Sequence, residues 1–292
     1  MKESGKRKKR KKIFERPIAG MLLAMLLMLL FEAALGSIAN FIFGVSYTGL
    51  SASGRKGQMV RDVTGIAVGL LCLLIYWLHN KKKPKEFFTL KNFGPYLLLG
   101  WSVFVVEGVS LIESFAQGMK IGNIGIAVIM GLAPGLKEEV IYRIIPIAIV
   151  MKGKDKEKNM WIGLFTSCIV FSLIHILNIV VGADPVMSLI QAFYAFCAGF
   201  VFVAIYLRTG NMWVSIFMHS ITDIIAYLDI TAQQNFGVQV SRVGTMDLLL
   251  LIGFGILYLI NAIYIFRKSK REEALLTWKR KWEQTEEGSL SA

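Results

Sequence analysis

The stretch at residues 124–151, IGIAVIMGLAPGLKEEVIYRIIPIAIVM, is long enough to cross a bilayer, yet four charged residues lie near its middle. They are Lys137, Glu138, Glu139 and Arg143. Charge inside a span costs free energy, so such residues commonly mark a functional site. Pro134 and Gly135 precede the acidic pair and predict that the helix bends or opens there, as is tolerated where backbone lines a wet cavity.

The rest of the chain is equally apolar. Its 292 residues are 55% hydrophobic, with a mean hydropathy of +0.56, and the apolar residues form repeated runs. This excludes a disordered chain, a secreted disulfide scaffold and an ordinary soluble enzyme. We predict an all-α, polytopic membrane bundle of about eight transmembrane helices. The apolar segments lie at about 17–44, 64–79, 94–115, 124–151, 160–181, 187–207, 211–230 and 246–266.

The net charge of +13 is concentrated at one side of these segments. Residues 1–12 hold eight Lys or Arg against one Glu, and further basic clusters follow the second, fourth, sixth and eighth segments. The positive-inside rule therefore predicts that both termini are cytoplasmic. The exception is the loop after the first segment, with Arg55, Lys56 and Arg61. The basic tails are expected to contact anionic lipid and no nucleic acid.

Five regions follow from this organisation. They are a basic cytoplasmic tail (1–16), N-terminal transmembrane helices and loops (17–93), a core (94–230), a final loop and transmembrane helix (231–266) and an amphipathic cytoplasmic tail (267–292). A basic head before an apolar run also resembles a signal peptide, but the run continues to about Val45, which favours a membrane anchor. In the last tail, Leu275, Trp278 and Trp282 predict a helix lying on the cytoplasmic leaflet.

Two further segments carry ionisable groups at a similar depth. His175 lies in FSLIHILN, and His219 and Asp223 lie in FMHSITD. At the helical rise of ~1.5 Å per residue, these groups and the acidic pair fall ~12 to ~22 Å from the cytoplasmic end of their spans. Each group alone is equally well explained as a helix-packing hydrogen bond or ion pair. Their convergence in one slab favours a functional site.

Spacing within each helix predicts local contacts. Glu139 and Arg143 are four residues apart and are expected to form an ion pair. Phe171 is expected to pack on His175, and Asp223 to select which nitrogen of His219 is protonated. Cys72, Cys168 and Cys197 have no paired spacing, which argues against a disulfide framework or a thiolate zinc site.

A carboxylate with two imidazoles in a low-dielectric cavity can activate water by general base catalysis. Alternatively, Glu138, His175 and His219 are candidate ligands of Zn²⁺ or another divalent metal with an open coordination position. Both alternatives predict a hydrolase. The familiar HExxH and GxSxG motifs are absent from the sequence.

Three motifs in this order, EExxxR at 138–143, FxxxH at 171–175 and HxxxD at 219–223, resemble the CPBP intramembrane proteases. That family groups type II CAAX prenyl endopeptidases with bacterial Abi and bacteriocin self-immunity proteins. The resemblance covers about residues 94–230. It implies that Glu138 and His175 activate the attacking water, with support from Glu139 and Arg143. We expect Phe171 and Asn178 to contact substrate.

The resemblance also implies that His219 and residue 223 stabilise the oxyanion. The family most often has Asn at this position, and this chain has Asp223. An ionised carboxylate repels an oxyanion and donates no hydrogen bond to it. Asp223 is therefore expected to be protonated, to orient His219 or to bind a metal.

The sequence therefore predicts an intramembrane endopeptidase acting on a membrane-associated or small peptide, with a cavity reached from the cytoplasmic side or laterally from the bilayer. Short loops favour a bacterial plasma-membrane protein, for which a prenylated substrate is not expected. One alternative is a non-catalytic membrane partner or bacteriocin self-immunity protein. The other is a proton-coupled transporter, against which stand the lack of an internal repeat and the clustering of the ionisable groups.

Overall fold

The protein is a bundle of helices. The computed structural model describes residues 16–45, 47–48, 51–52, 54–80, 89–233 and 245–290. The helices are α1 (Pro17–Phe43), α2 (Gly54–Asn80), α3 (Phe93–Leu97), α4 (Trp101–Ala116), α5 (Ile124–Glu139), α6 (Ile145–Met151), α7 (Lys156–Ile176), α8 (Pro185–Thr209), α9 (Met212–Gln233), α10 (Thr245–Ile265) and α11 (Lys268–Leu290). Short 3₁₀ turns follow α3 and α7. A two-residue antiparallel pair, β1 (Tyr47–Thr48) and β2 (Ser51–Ala52), follows α1.

The predicted all-α polytopic fold is confirmed, whereas the count of eight spans is not. Within the described residues, six helices are long and apolar enough to cross a membrane. They are Pro17–Phe43, Gly54–His79, Phe93–Ala116, Lys156–Val180, Pro185–Thr209 and Leu248–Ile265. The other two predicted segments are the shorter apolar helix Met212–Leu228 and the charged, interrupted stretch at 124–151.

The fourth predicted segment is interrupted by a π-helical turn at Val140–Ile144, between α5 and α6. Pro146 supplies a physical reason, because it has no N–H to donate to the carbonyl of Tyr142 four residues earlier. The Ser167 hydroxyl of α7 donates to that carbonyl instead, at 2.7 Å. The Tyr206 hydroxyl of α8 donates to the Ile144 carbonyl at 3.3 Å.

This turn lies one helical turn later than expected. Helix α5 continues through Pro134, and the opening predicted at Pro134–Gly135 is found between Glu139 and Arg143. The wider turn therefore lies between Glu139 and Arg143, the two partners of the expected ion pair, and the two side chains still meet.

Small residues allow two helices to approach α5 closely. A Cβ added to Gly135 would lie 2.8 Å from backbone atoms of Ser220, and one on Gly131 would lie 2.5 Å from the backbone nitrogen of Ile224. Both contacts are on α9, so Gly131 and Gly135 bring the acidic helix against the helix of His219. On the other side, Gly69 of α2 lies close to Leu136.

The C-terminal tail is helical but packs on protein through one of its aromatic residues. Trp278 is 1% exposed, and its indole N–H donates to the Leu207 carbonyl at 2.7 Å. Lys281 donates to the Gly210 carbonyl at 2.5 Å. The predicted amphipathic helix therefore docks on the end of α8. Residues 1–15 of the predicted basic tail and the lysines at 81, 82, 83 and 85 lie outside the described residues.

Candidate active site

The centre of the site is Glu139, whose carboxylate joins two helices. Its Oε1 accepts hydrogen bonds from Arg143 Nη1 and from His219 Nδ1, the latter at 2.7 Å. The side chains of Glu139 and Arg143 are completely buried, so their charges compensate one another away from water. The predicted ion pair is present, and Glu139 is its shared acceptor rather than a solvent-exposed acid.

This contact determines which ring nitrogen of neutral His219 carries the proton. Because the Glu139 carboxylate accepts, Nδ1 of His219 is the donor, and Nε2 points towards two other carboxylates. Nε2 lies 3.7 Å from Glu138 Oε2 and 3.4 Å from Asp223 Oδ2. His219 therefore donates from Nε2 only as an imidazolium, which would hold a cation between Glu138 and Asp223.

Asp223 was expected to select the protonated nitrogen of His219. The structure gives that contact to Glu139, on a neighbouring helix, and leaves Asp223 on the Nε2 side of the ring. Helical spacing of four residues correctly placed His219 and Asp223 together. It carried no information about a carboxylate arriving from α5.

His175 is held by the backbone of its own helix. Its Nδ1 donates to the Phe171 carbonyl at 2.8 Å, so in the neutral ring Nε2 is left as an acceptor. The Phe171 ring packs edge-on against His175, with centroids 4.7 Å apart, and also against His219, at 5.9 Å. Phe171 thus contacts both imidazoles and links the second motif to the third.

Aromatic rings and a glycine surround the buried guanidinium. Arg143 lies 4.1 Å from the Phe171 centroid, and Phe202 stacks on His219 with centroids 5.5 Å apart. A Cβ on Gly199 would lie 3.1 Å from Arg143 Nη2. Sequence reasoning missed Phe202 and Gly199, because no motif connects α8 to the site. It also missed the packing role of Gly131 and Gly135, although their GxxxG spacing is visible in the sequence.

Several buried oxygens in the site have no hydrogen-bond partner among the described residues. Glu139 Oε2, Ser220 Oγ and Asp223 Oδ2 are buried and make no hydrogen bond within the described part of the chain. The side chains of Glu138 and Asp223 are 24% and 25% exposed, whereas Glu139 is not exposed. Buried polar atoms are normally paired, so these oxygens are the natural places for water or for a substrate amide.

The remaining predicted residues lie further out. Asn178, in the 3₁₀ turn after His175, donates to the Gln191 side chain at 3.2 Å in an exposed position. Glu107 of α4, which is not one of the predicted site residues, is also buried, and Tyr194 donates to it at 3.3 Å while lying 2.9 Å from the Tyr258 hydroxyl. Lys137 turns away from the site and pairs with Glu32 of α1 at 2.6 Å.

The predicted metal ligands do not form a finished metal site. Among the described residues, no group of three or more His, Cys, Asp or Glu side chains is placed to hold a metal ion. His219 Nδ1 is already engaged by Glu139. Glu138, His175 and His219 therefore fit a metal poorly in this arrangement, and the metal requirement stays a prediction.

The comparisons agree with the position of the motifs. Residues 120–225 match the family model described as type II CAAX prenyl endopeptidase Rce1-like. No curated protein and no solved structure matches the chain. The matched residues contain all three motifs and both predicted substrate contacts. The predicted resemblance to the CPBP family is therefore confirmed over residues 120–225, which are similar to the Rce1-like type II CAAX prenyl endopeptidases.

Proposed function

We propose that the protein is an intramembrane endopeptidase that hydrolyses a peptide bond in a membrane-associated or small peptide substrate. The observation that carries this proposal is the meeting of the three motifs around Glu139, which leaves Glu138 and His175 as the groups free to act on water. The Rce1-like domain supports the same reaction class.

In the proposed reaction, Glu138 takes a proton from a water that also donates to His175 Nε2. The water oxygen attacks the scissile carbonyl carbon. Protonated His219 donates from Nε2 to the oxyanion. Glu138 then returns its proton to the leaving amine as the C–N bond breaks. Glu139 and Arg143 act through His219 and are positioning residues.

The residues present support this division of labour. Glu138 is partly exposed and lies 3.7 Å from His219 Nε2, whereas Glu139 is fully buried and already accepts from Arg143 and His219, so Glu138 is the acid that a water molecule can reach. No step uses a metal. A zinc requirement would show itself as loss of activity with a chelator and recovery with Zn²⁺.

Several related properties belong to the same proposal. We infer a bacterial plasma-membrane protein with cytoplasmic termini and basic tails that contact anionic lipid. The described tail is consistent with this, since Arg267, Lys268, Lys270 and Arg271 follow α10 directly. No nucleic-acid partner and no prenylated substrate are expected.

The test is quantitative comparison of membrane and secreted peptides from cells with the wild-type protein and cells with Glu138→Gln. We expect a set of cleavage products to disappear in Glu138→Gln and in His175→Ala. Glu113→Gln is the matched control, because Glu113 is a carboxylate of α4 whose hydrogen bond is an exposed one to Gln117. Identical peptides in wild type and Glu138→Gln would overturn the proposal.

The same strains distinguish the two alternatives. A self-immunity or scaffold protein would keep its phenotype in Glu138→Gln and lose it on changes in the loops. A transporter would instead take up solute in liposomes under a pH gradient.

A further inference from the structure

The helices that supply the site are buried on one side of it and exposed on the other. Residues 201–207 of α8 are all buried, and so are most of α6 and of residues 211–220 in α9. Beyond the site the pattern reverses, since none of residues 172–180 or 221–228 is buried among those whose side chains are described. Helix α5 differs, because Ile126 and Ala127 remain buried.

The two sides correspond to two faces of the bundle. The tail face holds the 152–155 and 210–211 connections and α11, as the contacts of Trp278 with Leu207 and of Lys281 with Gly210 show. The loop face holds the 117–123 and 182–184 connections. There the Gly122 N–H donates to the Leu228 carbonyl at 3.3 Å.

The tail face is closed above the site. Trp278 and Ala274 of α11 are 1% and 0% exposed, and Trp278 packs edge-on against Tyr206 with centroids 5.4 Å apart. On α9, the residues between this end of the helix and His219 include the fully buried Val214 and Met218. A substrate coming from the tail face would have to displace packed core, which costs several kcal/mol.

With the tail face closed, the partial exposure of Glu138 and Asp223 continues on the loop-face side of the site. Glu138 is 24% and Asp223 25% exposed, and the residues that follow Asp223 on α9 are half-buried at most. On the loop-face side, three residues beyond His175, lies the exposed amide pair Asn178–Gln191. Exposed apolar side chains flank the pair, at Leu173, Leu177, Val186 and Leu189.

We infer that the substrate of the proposed peptidase reaches the site from the loop face, as an extended polypeptide segment with apolar side chains. The Asn178 and Gln191 amides are suited to its backbone, and the flanking apolar residues to its side chains. Apart from Arg55, Lys56 and Arg61 at the start of α2, the described basic clusters lie on the tail face, so the positive-inside rule makes the loop face extracytoplasmic. This differs from the cytoplasmic route expected from the sequence. The inferred route rests on the proposed function only in that the ligand is taken to be a polypeptide substrate.

The experiment measures access without any substrate. Single cysteines are placed at Asp223 in the site, at Lys120 as a marker of the loop face and at Lys154 as a marker of the tail face. Sealed vesicles of both orientations are treated with a small, charged, membrane-impermeant methanethiosulfonate. Native Cys72, Cys168 and Cys197 are buried, so the unaltered protein supplies the background. Ser215→Cys is the matched control, eight residues before Asp223 on the same helix and 0% exposed.

We expect the vesicle orientation that exposes Lys120→Cys to the reagent to expose Asp223→Cys as well. In that orientation, Asp223→Cys should react at least about tenfold faster than it does in the orientation that exposes Lys154→Cys. Ser215→Cys should stay at background in both. Labelling of Asp223→Cys together with Lys154→Cys, or in neither orientation, would overturn the inference. Neither result depends on proteolysis, so a failed peptidase assay is a separate outcome.

Discussion

Glu139 of α5 accepts a hydrogen bond from His219 of α9 at 2.7 Å, although the two residues are 80 positions apart in the chain. The same oxygen accepts from Arg143. Glu138, its neighbour in sequence, is instead partly exposed and 3.7 Å from the other nitrogen of His219. Two adjacent glutamates therefore have different surroundings, since Glu139 is buried between two helices and Glu138 is partly exposed.

This difference predicts that Glu138→Gln and Glu139→Gln fail in different ways. Glu138→Gln should abolish proteolysis while the protein unfolds at nearly the wild-type temperature. Glu139→Gln leaves the buried Arg143 charge uncompensated, so it should cost about 3–5 kcal/mol of stability as well as activity. Thermal unfolding in detergent, measured beside peptide cleavage, separates the two.

A second substitution provides the control for Glu139→Gln. Adding Arg143→Met removes the uncompensated charge and should recover part of the stability without restoring cleavage. Equal unfolding temperatures for Glu138→Gln and Glu139→Gln would contradict the assignment of the buried pair.

Asp223→Asn is expected to keep or increase activity. The amide can donate a hydrogen bond to the oxyanion, and its neutral oxygen attracts the His219 Nε2 proton less strongly than the carboxylate 3.4 Å away does. The measurement is kcat/KM for a peptide identified by the comparison of cells described above. Asp223→Ala is the control, since it removes the carboxylate without adding a donor. If Asp223→Asn were as inactive as Glu138→Gln, Asp223 would need its ionised form in the reaction.

Gly135→Ala should destabilise the site through helix packing alone. The added Cβ would lie 2.8 Å from backbone atoms of Ser220, and backbone cannot move aside as a side-chain tip can. Overpacking of this kind costs about 1–3 kcal/mol. Because the added Cβ would push α5 and α9 apart, the cleavage rate should fall strongly even in protein that remains folded.

Gly253→Ala on α10 is the matched control, since nothing lies within 4 Å of a Cβ added there. Both variants are compared by thermal unfolding in detergent and by cleavage rate. Equal effects of the two substitutions would mean that close contact at Gly135 is not needed.

Trp278→Ala should release α11 from the end of α8. The substitution removes a fully buried ring and the donor to the Leu207 carbonyl, a change that costs about 3–5 kcal/mol for a tryptophan in a core. Limited proteolysis should then cut within α11 much faster than in the wild type. Leu276→Ala is the control, since Leu276 is 55% exposed on the same helix. Unchanged protection of α11 in Trp278→Ala would show that other contacts hold it.

The sequence by itself determined the class of fold and pointed to the residues of the candidate site. Apolar runs identify membrane helices because a span must satisfy its backbone hydrogen bonds internally, and charges within those runs are rare enough to mark a site. The four-residue spacings placed Glu139 beside Arg143, Phe171 beside His175 and His219 beside Asp223, because such positions share a helix face.

Only the tertiary structure decided how these pairs meet. Glu139, rather than Asp223, engages His219 Nδ1, and Phe171 contacts both histidines. The helical turn opens after Glu139, because the Tyr142 carbonyl has a partner on α7 in place of the N–H that Pro146 lacks. Which residues of different helices meet depends on the angles at which the helices pack and on small residues, such as Gly135 and Gly199, that let them approach. The residue pattern within one helix does not reveal which other helix will lie against it. For the same reason, the face on which the site opens follows from packing between helices.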